Sequence, residues 1–261
     1  MHHDTGAQMT RRQFGALTAS VVASVTFAEA CGGTEASAAD DGRIAARPKT
    51  GTRTTAERGS HALGLGEGRD ATLQIPASAS DAPVPLLLLL HGANGGAAGI
   101  LRRLGKAADD AGLAVLAPDS RGRTWDAVEG SYGRDVVFLN RALERVFDTV
   151  AVDPRRIAVG GFSDGASYAV SLGLINGDLF GKIAAFSPGF IVPRQPHGRP
   201  RIFISHGTED QILPFDQCGK QIASDLKRLQ YDVTFRDFRG GHDIPPDIAA
   251  AGMRWLAEPA G

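Results

Sequence analysis

The apolar positions of this chain follow two patterns that alternate along most of its length. Runs of consecutive apolar residues are typical of strands that are buried on both faces of a parallel sheet. The clearest is residues 86–90, five leucines with a proline before them and a glycine-rich segment after them. Other segments carry an apolar residue every three or four positions, as residues 135–150 do, and this spacing indicates an amphipathic helix.

These two patterns continue over the rest of the chain and predict its strands and helices in order. Strands are predicted at residues 71–75, 86–90, 113–117, 157–160, 182–186, 201–205 and 231–238. Helices are predicted at residues 98–111, 135–150, 166–172, 215–229 and 246–256. Strands that alternate with helices imply a mostly parallel sheet with helices on both faces, so the fold class is α/β. The folded domain is predicted to cover residues 61–258.

The first sixty residues depart from this alternation. Arg11 and Arg12 form a twin-arginine pattern before a mildly apolar, uncharged run at residues 14–27, so residues 1–30 are predicted to be an export signal. Residues 31–60 are rich in alanine, threonine, glycine and charge, which predicts a flexible tether. Two fates of Cys31 remain open: acylation as the first residue of a membrane-anchored lipoprotein, or cleavage after Ala30 without a lipid. Either way we expect export from a bacterial cytoplasm, to the periplasm, the medium or a membrane.

Composition restricts the function further. The chain has 261 residues, of which 43% are hydrophobic, enough for one domain with a sizeable core. The formal net charge is -1 with no basic block, so a nucleic-acid partner is not expected. The two cysteines, Cys31 and Cys218, exclude a disulfide framework and a cysteine-rich metal site. No metal or other cofactor is predicted, and nothing indicates an oligomeric state.

The strongest candidate for chemistry is the G-x-S-x-G segment at residues 161–165, between a predicted strand and a predicted helix. This arrangement is typical of a nucleophile elbow, a sharp turn that presents the serine hydroxyl at the edge of the sheet. Gly161 and Gly165 have no Cβ, so the neighbouring backbone can pass close by. Ser163 is therefore the predicted nucleophile.

A second glycine-rich segment, residues 91–96, follows the five leucines. Loops at the carboxyl ends of buried strands build ligand sites in open α/β sheets. We interpret this segment as an oxyanion loop that presents the backbone N–H of Ala93 to a substrate oxygen. His91, at the end of the strand, is expected to turn inward and have a structural role.

A serine nucleophile needs a base, and the base needs a carboxylate that orients it. His242 follows the last predicted strand in a glycine-rich turn and is preferred over two alternatives, since His197 lies in a proline-rich loop and His206 ends a strand. Asp210, just past the preceding strand, is the predicted acid, with Glu209 as the second choice. The order serine, aspartate, histidine matches that of α/β-hydrolases.

Four segments in this order resemble the α/β-hydrolases of the phospholipase/carboxylesterase and polyhydroxybutyrate-depolymerase-like esterase group: residues 90–95, 161–166, 206–210 with Pro214, and 241–245. The resemblance implies an α/β-hydrolase fold in which Ser163, Asp210 and His242 form a catalytic triad. It also implies that the N–H groups of Ala93 and Asp164 form an oxyanion hole. Residues 120–126 are similar to a segment near the site of such esterases, which makes Trp125 either a wall of the substrate pocket or a packing residue.

The resemblance implies a serine hydrolase that cleaves carboxylic esters, small or polymeric, through an acyl-enzyme. A peptidase or an acyltransferase on the same fold is an alternative, because fold and triad do not determine the leaving group. A catalytically inactive binding module tethered to the envelope is a third hypothesis, which the complete set of three residues disfavours. The short connection between the strands at 182–186 and 201–205 leaves no room for the large lid of many lipases, so we expect an open site.

Overall fold

The computed structural model describes residues 40–52, 54–66 and 68–259, and an eight-stranded sheet forms their centre. The strands are β1 (Gly59–Ala62), β2 (Ala71–Ile75), β3 (Val84–Leu90), β4 (Ala114–Pro118), β5 (Val152–Phe162), β6 (Lys182–Phe186), β7 (Arg201–Gly207) and β8 (Val233–Phe238). They lie in the order β1-β2-β4-β3-β5-β6-β7-β8. β1 and β2 pair antiparallel with their neighbours, and the pairs from β4 to β8 are parallel.

Helices cover both faces of the sheet. They are α1 (Ala97–Asp110), α2 (Asp126–Glu129), α3 (Arg134–Thr149), α4 (Asp164–Ile175), α5 (Gly219–Arg228) and α6 (Pro246–Ala257). α1 and α6 contribute to the hydrophobic core on one face, and α3, α4 and α5 contribute to the core on the other. The α/β class predicted from the alternating elements, a mostly parallel sheet with helices on both faces, is thus confirmed.

β3 shows why its sequence lacks alternation. Successive side chains of a strand point to opposite faces of the sheet. Leu86, Leu88 and Leu90 pack under α3 and α4, whereas Leu87 and Leu89 pack under α1 and α6. All seven residues of β3 are buried, so a polar residue would be costly at any of them.

The predicted bounds differ most where a loop serves the site. The helix expected from residue 215 begins at Gly219, because residues 211–218 form turns that surround Asp210. The last strand begins at Val233 rather than at residue 231. β1 and the short helix α2 were not predicted, since neither has a clear apolar periodicity.

The prediction of a flexible tether up to residue 60 differs from the structure over its second half. Ile44 is 1% exposed and lies in the main core, and its N–H donates to Oδ1 of Asn176 at 2.8 Å. Arg43 and Arg47 form ion pairs with Asp178. The folded part therefore begins before His61: hydrogen bonds and ion pairs to α4 and the turn after it offset the ordering entropy of a segment with few apolar residues. The predicted export signal and Cys31 lie outside the described residues.

The connection between β6 and β7, residues 187–200, is a loop that contains no helix or named strand. This agrees with the expectation that the chain carries no large lid at that place. Among the described residues, no helix is both long enough and apolar enough to cross a membrane.

Candidate active site

Ser163 lies in a strained turn between β5 and α4. Its φ of 57° and ψ of -123° belong to a region that side-chain-bearing residues seldom adopt, and such strain clusters at functional sites. The two glycines of the elbow make the turn possible. A Cβ on Gly161 would lie 2.4 Å from the carbonyl oxygen of Gly165, and one on Gly165 would lie 2.4 Å from that of Leu90. Any side chain at either position would collide with backbone.

The three residues predicted as a triad meet at the carboxyl edge of the sheet. His242 Nε2 lies 2.9 Å from Ser163 Oγ, and His242 Nδ1 lies 2.7 Å from Asp210 Oδ2. An ionised carboxylate can only accept a hydrogen bond, so Nδ1–H donates to Asp210 and Nε2 is free to accept the proton of the serine hydroxyl. The three come from the loops after β5, β7 and β8, which converge because the strands are parallel.

Asp210 is held by its own loop. Its Oδ1 accepts the backbone N–H groups of Ile212 and Leu213, each at 2.9 Å. Burial by itself would raise the pKa of Asp210, but these two N–H groups and His242 together outweigh burial and hold the pKa below its usual value. The alternative acid, Glu209, instead pairs with Arg239 at the exposed surface. The structure therefore brings Asp210, and not Glu209, to the histidine.

The two other candidate bases have different positions. His206 is fully buried, and its Nε2–H donates to the carbonyl oxygen of Leu213 at 2.7 Å while lying 3.2 Å from Asp210 Oδ2. It supports the loop that holds Asp210, as expected, and burial lowers its pKa. His197 is exposed in the loop between β6 and β7, where its backbone N–H donates to Leu174.

His91 shapes the loop that follows β3. Its Nδ1–H donates to the carbonyl oxygen of Gly92 at 2.7 Å, and its Nε2 accepts the N–H of Ser120 at 3.0 Å. Burial lowers the pKa of His91, which favours this neutral form. The structural role expected for His91 is what the structure shows.

The loop itself lies against the nucleophile. A Cβ on Gly92 would lie 3.2 Å from Cβ of Ser163. Within the described part of the chain, no protein acceptor takes the N–H of Ala93 beside it or the N–H of Asp164 at the start of α4. Both N–H groups are thus available to another acceptor at the elbow.

The prediction of Trp125 as a pocket wall is wrong. Its side chain is 0% exposed, and its Nε1–H donates to the carbonyl oxygen of His91 at 2.8 Å. The ring packs between those of His91 and Tyr168, with centroids at 4.8 and 5.3 Å. Of the two alternatives, Trp125 is therefore a packing residue, and it contacts the 91–96 loop through His91.

Two neighbours of the site could not be found from sequence spacing. Thr124 Oγ1 donates to Oδ2 of Asp164 at 2.7 Å and so fixes the residue after the nucleophile. The ring of Phe162 lies 4.8 Å from the imidazole of His242 and flanks it. The only hint of Phe162 in the sequence was its place inside the G-x-S-x-G pattern, next to the serine.

Comparison with known proteins finds similarity to esterases and thioesterases. Residues 139–255 match the family described as Phospholipase/Carboxylesterase, and this segment contains Ser163, Asp210 and His242. Acyl-protein thioesterase 1 of Gibberella zeae is 29% identical over 120 residues, which are 42% of this chain and 50% of that protein. The chain thus spans about half the length of that relative. The probable feruloyl esterase C of Aspergillus niger is 27% identical over 233 residues, 76% of this chain and 84% of that protein.

Solved structures show the same architecture. The crystal structure of esterase PE8 has a TM-score of 0.59 at 21% identity, and the match covers 72% of this chain and 97% of that one. At this level of identity the likeness concerns the fold, and it extends the match from the C-terminal half to most of the described residues.

Proposed function

We propose that this chain is a serine hydrolase that cleaves carboxylic esters through an acyl-enzyme on Ser163. It is an α/β-hydrolase whose residues 139–255 are similar to the Phospholipase/Carboxylesterase family. One observation carries the proposal: Asp210, His242 and Ser163 are joined by hydrogen bonds of 2.7 and 2.9 Å at a strained elbow. This is the connectivity that nucleophilic catalysis by serine requires.

Acylation uses each of the three groups once. Ser163 Oγ attacks the ester carbonyl carbon while His242 Nε2 accepts the hydroxyl proton. The imidazolium that forms is stabilised by Asp210 Oδ2, which already holds Nδ1–H. His242 then donates the proton to the departing alkoxide, and the alcohol leaves the acyl group on Ser163.

The tetrahedral intermediate carries a negative charge on the former carbonyl oxygen. The N–H groups of Ala93 and Asp164 are proposed to bind that oxygen. Removing one such donor typically costs on the order of 10² to 10³ in kcat, which is why preorganised N–H groups matter. Support comes from the packing: bonds from Trp125 and Ser120 hold His91, at the start of the loop that contains Ala93, and the bond from Thr124 holds the side chain of Asp164.

Deacylation repeats the sequence with water in place of serine. His242 Nε2 accepts a proton from the water, the hydroxide attacks the acyl carbon, and the proton returns to Ser163 Oγ as the acid leaves. The names of the relatives suggest two substrate classes within this chemistry, namely thioesters and aryl-acid esters such as feruloyl esters. A peptidase or an acyltransferase would use the same acyl-enzyme and differ only in the leaving group or in the acceptor.

The first test is covalent labelling of the nucleophile. A fluorophosphonate probe should react with the wild-type protein and not with Ser163→Ala, because only an activated serine attacks phosphorus. Ser163→Ala should also lose on the order of 10⁴ to 10⁶ in kcat toward p-nitrophenyl acetate, with unchanged thermal unfolding. A variant that retained a tenth of the wild-type activity would refute the assignment.

A substrate panel then separates the enzyme classes. Rates of p-nitrophenyl esters, an acyl thioester and a peptide p-nitroanilide should be compared on the same preparation. We expect hydrolysis of oxygen esters and thioesters, and none of the anilide. Release of acyl product only in the presence of an added alcohol or amine acceptor would instead indicate an acyltransferase.

A further inference from the structure

A cavity of about 450 Å³ opens directly beside the proposed oxyanion loop. It lies between residues 91–96 and the exposed side of α1, and Phe162 forms part of its wall. Ala93 and Phe162 connect it to the elbow, since the first is a proposed oxyanion donor and the second precedes Ser163. When the carbonyl oxygen of an ester is bound by the N–H of Ala93, either the acyl group or the alcohol group of that ester therefore extends into this cavity.

The wall that α1 contributes is positively charged. Arg102 and Arg103 both line the cavity and are exposed. The guanidinium of Arg103 lies 4.9 Å from the ring centroid of Phe162 and pairs with Asp243, the residue after His242. Among the described residues, no ion pair or hydrogen bond is found for Arg102. Asp243 is thus already paired with Arg103, and Asp119 Oδ1 accepts the N–H of Ala97 at the start of α1, so Arg102 is the cation of this wall for which the described residues show no paired carboxylate.

Arg102 is also placed to reach into the space. A Cβ added to Gly99 would lie 3.8 Å from Nη2 of Arg102, so the guanidinium bends back over the first turns of α1. Gly99 lines the same cavity and leaves room there for a ligand, because a Cβ at this position would meet no atom within 4 Å other than Nη2 of Arg102. A third cation, Arg69, donates to the carbonyl oxygen of Gly95 at 3.2 Å, so the loop is flanked by positive charge on a second side.

We propose that this cavity binds a negatively charged group of the ester substrate, a carboxylate above all, with Arg102 as the residue that recognises it. The inference rests on the proposed esterase function and narrows its substrate class to anionic esters. Ile100 and the Phe162 ring supply apolar surface between the elbow and the arginines, which suits a carboxylate on a short hydrocarbon or aromatic spacer. A planar guanidinium matches a carboxylate with two parallel hydrogen bonds.

The test compares matched esters that differ in one charge. One pair carries the charge on the acyl side: p-nitrophenyl hydrogen glutarate and its methyl ester, followed by p-nitrophenol release. The other pair carries it on the alcohol side: 4-acetoxybenzoate and its methyl ester. For each pair, the ratio of kcat/KM for the anionic ester to kcat/KM for the neutral ester is measured in the wild type and in variants, which cancels intrinsic reactivity.

In Arg102→Gln the ratio should fall by about 10-fold for one of the pairs, because the variant loses the interaction that favours the anionic ester. The pair that responds identifies the side of the substrate that enters the cavity. The fall should shrink in about 0.5 M salt, because exposed charges are screened. Lys106→Gln is the matched control: it removes the same charge from the same helix, but Lys106 pairs with Asp110 and does not line this cavity. Its ratios should stay within about twofold of wild type.

Labelling of Ser163 by fluorophosphonate reports whether each variant retains an assembled site. Ratios that remain at the wild-type value in Arg102→Gln and in the double variant with Arg103→Gln, for both pairs, would overturn the anion site and leave the proposed esterase function standing. A wild-type protein that neither hydrolyses the neutral esters nor reacts with the probe would overturn the esterase function, and the anion site with it.

Discussion

At the scale of single residues, two buried histidines make stability depend on pH. Burial lowers the pKa of both His91 and His206, although carboxylates nearby act against it: Asp119 and Asp164 near His91, and Asp210 near His206. Arg69 and His242 act in the same direction as burial. In the unfolded chain both imidazoles titrate near about pH 6.5. As the pH falls below that value, the unfolded state binds more protons than the folded state, so the folded state loses stability.

We expect the free energy of unfolding to decrease between about pH 7.5 and 5.5, and to decrease less in His206→Gln. Glutamine can still donate to the Leu213 carbonyl but cannot titrate. Urea unfolding of both proteins at several pH values measures the difference. Asp135 contributes in the opposite direction: burial raises its pKa to about 6, so it stabilises the folded state as the pH falls. This contribution is the same in both proteins and cancels when the variant is compared with the wild type. Parallel curves for the two proteins would contradict the prediction.

Trp125 carries a second residue-scale prediction. Trp125→Phe removes the donor to the buried carbonyl of His91 and leaves a small cavity, so it should cost about 2 to 3 kcal/mol of unfolding free energy. It should not change the preference between p-nitrophenyl acetate and p-nitrophenyl hexanoate, because the side chain does not reach the surface. A changed preference without a loss of stability would restore Trp125 as a pocket wall.

At the scale of elements, the elbow depends on how closely β3, β5 and α4 approach one another. Gly165→Ala would place a methyl group 2.4 Å from the backbone oxygens of Leu90 and His91, which no rotamer can relieve. We expect a loss of about 3 kcal/mol in unfolding free energy and a loss of labelling at Ser163.

Gly181→Ala is the control for this variant, because its Cβ would meet no atom closer than 3.9 Å. Its stability should stay within about 0.5 kcal/mol of wild type. Thermal unfolding and fluorophosphonate labelling of both variants measure the contrast. A Gly165→Ala protein as stable and as reactive as Gly181→Ala would mean that the elbow is less crowded than the structure has it.

At the scale of the whole molecule, the ordered segment around Arg43 limits how far the domain could lie from a lipid anchor at Cys31. We propose that the twin-arginine pattern directs export and that Cys31 decides between release and anchoring. Because the chain joins the domain by about Arg43, the residues between Cys31 and that point span at most roughly 40 Å when fully extended. A lipidated protein would therefore keep its point of attachment to the domain within that distance of the membrane surface.

Fractionation of cells tests both parts of this proposal. Replacement of Arg11 and Arg12 by lysine should leave the protein in the cytoplasm. If Cys31 is acylated, Cys31→Ser should move it from the membrane fraction to the soluble exported fraction, since each buried methylene of the lipid contributes about 0.8 kcal/mol. Identical soluble distributions of wild type and Cys31→Ser would indicate cleavage without lipidation and leave the catalytic proposal untouched.

The sequence by itself determined the fold class and the residues that meet at the site. Five leucines in a row predict a doubly covered strand, and a serine between two glycines predicts an elbow, because these patterns follow from local geometry and burial. Asp210 and His242 could be chosen for the same reason: each follows a strand, and the carboxyl ends of parallel strands share one edge of the sheet.

Only the tertiary structure decided matters that depend on contacts between distant segments. The burial of Trp125 follows from the carbonyl of His91 and the ring of Tyr168, which no spacing places beside it. The ordering of the segment around Ile44 follows from Asn176 and Asp178, more than a hundred residues away. The charged cavity at α1 likewise depends on the contact between Phe162 and Arg103 of that helix. The sequence alone does not indicate which surface an exposed arginine lines.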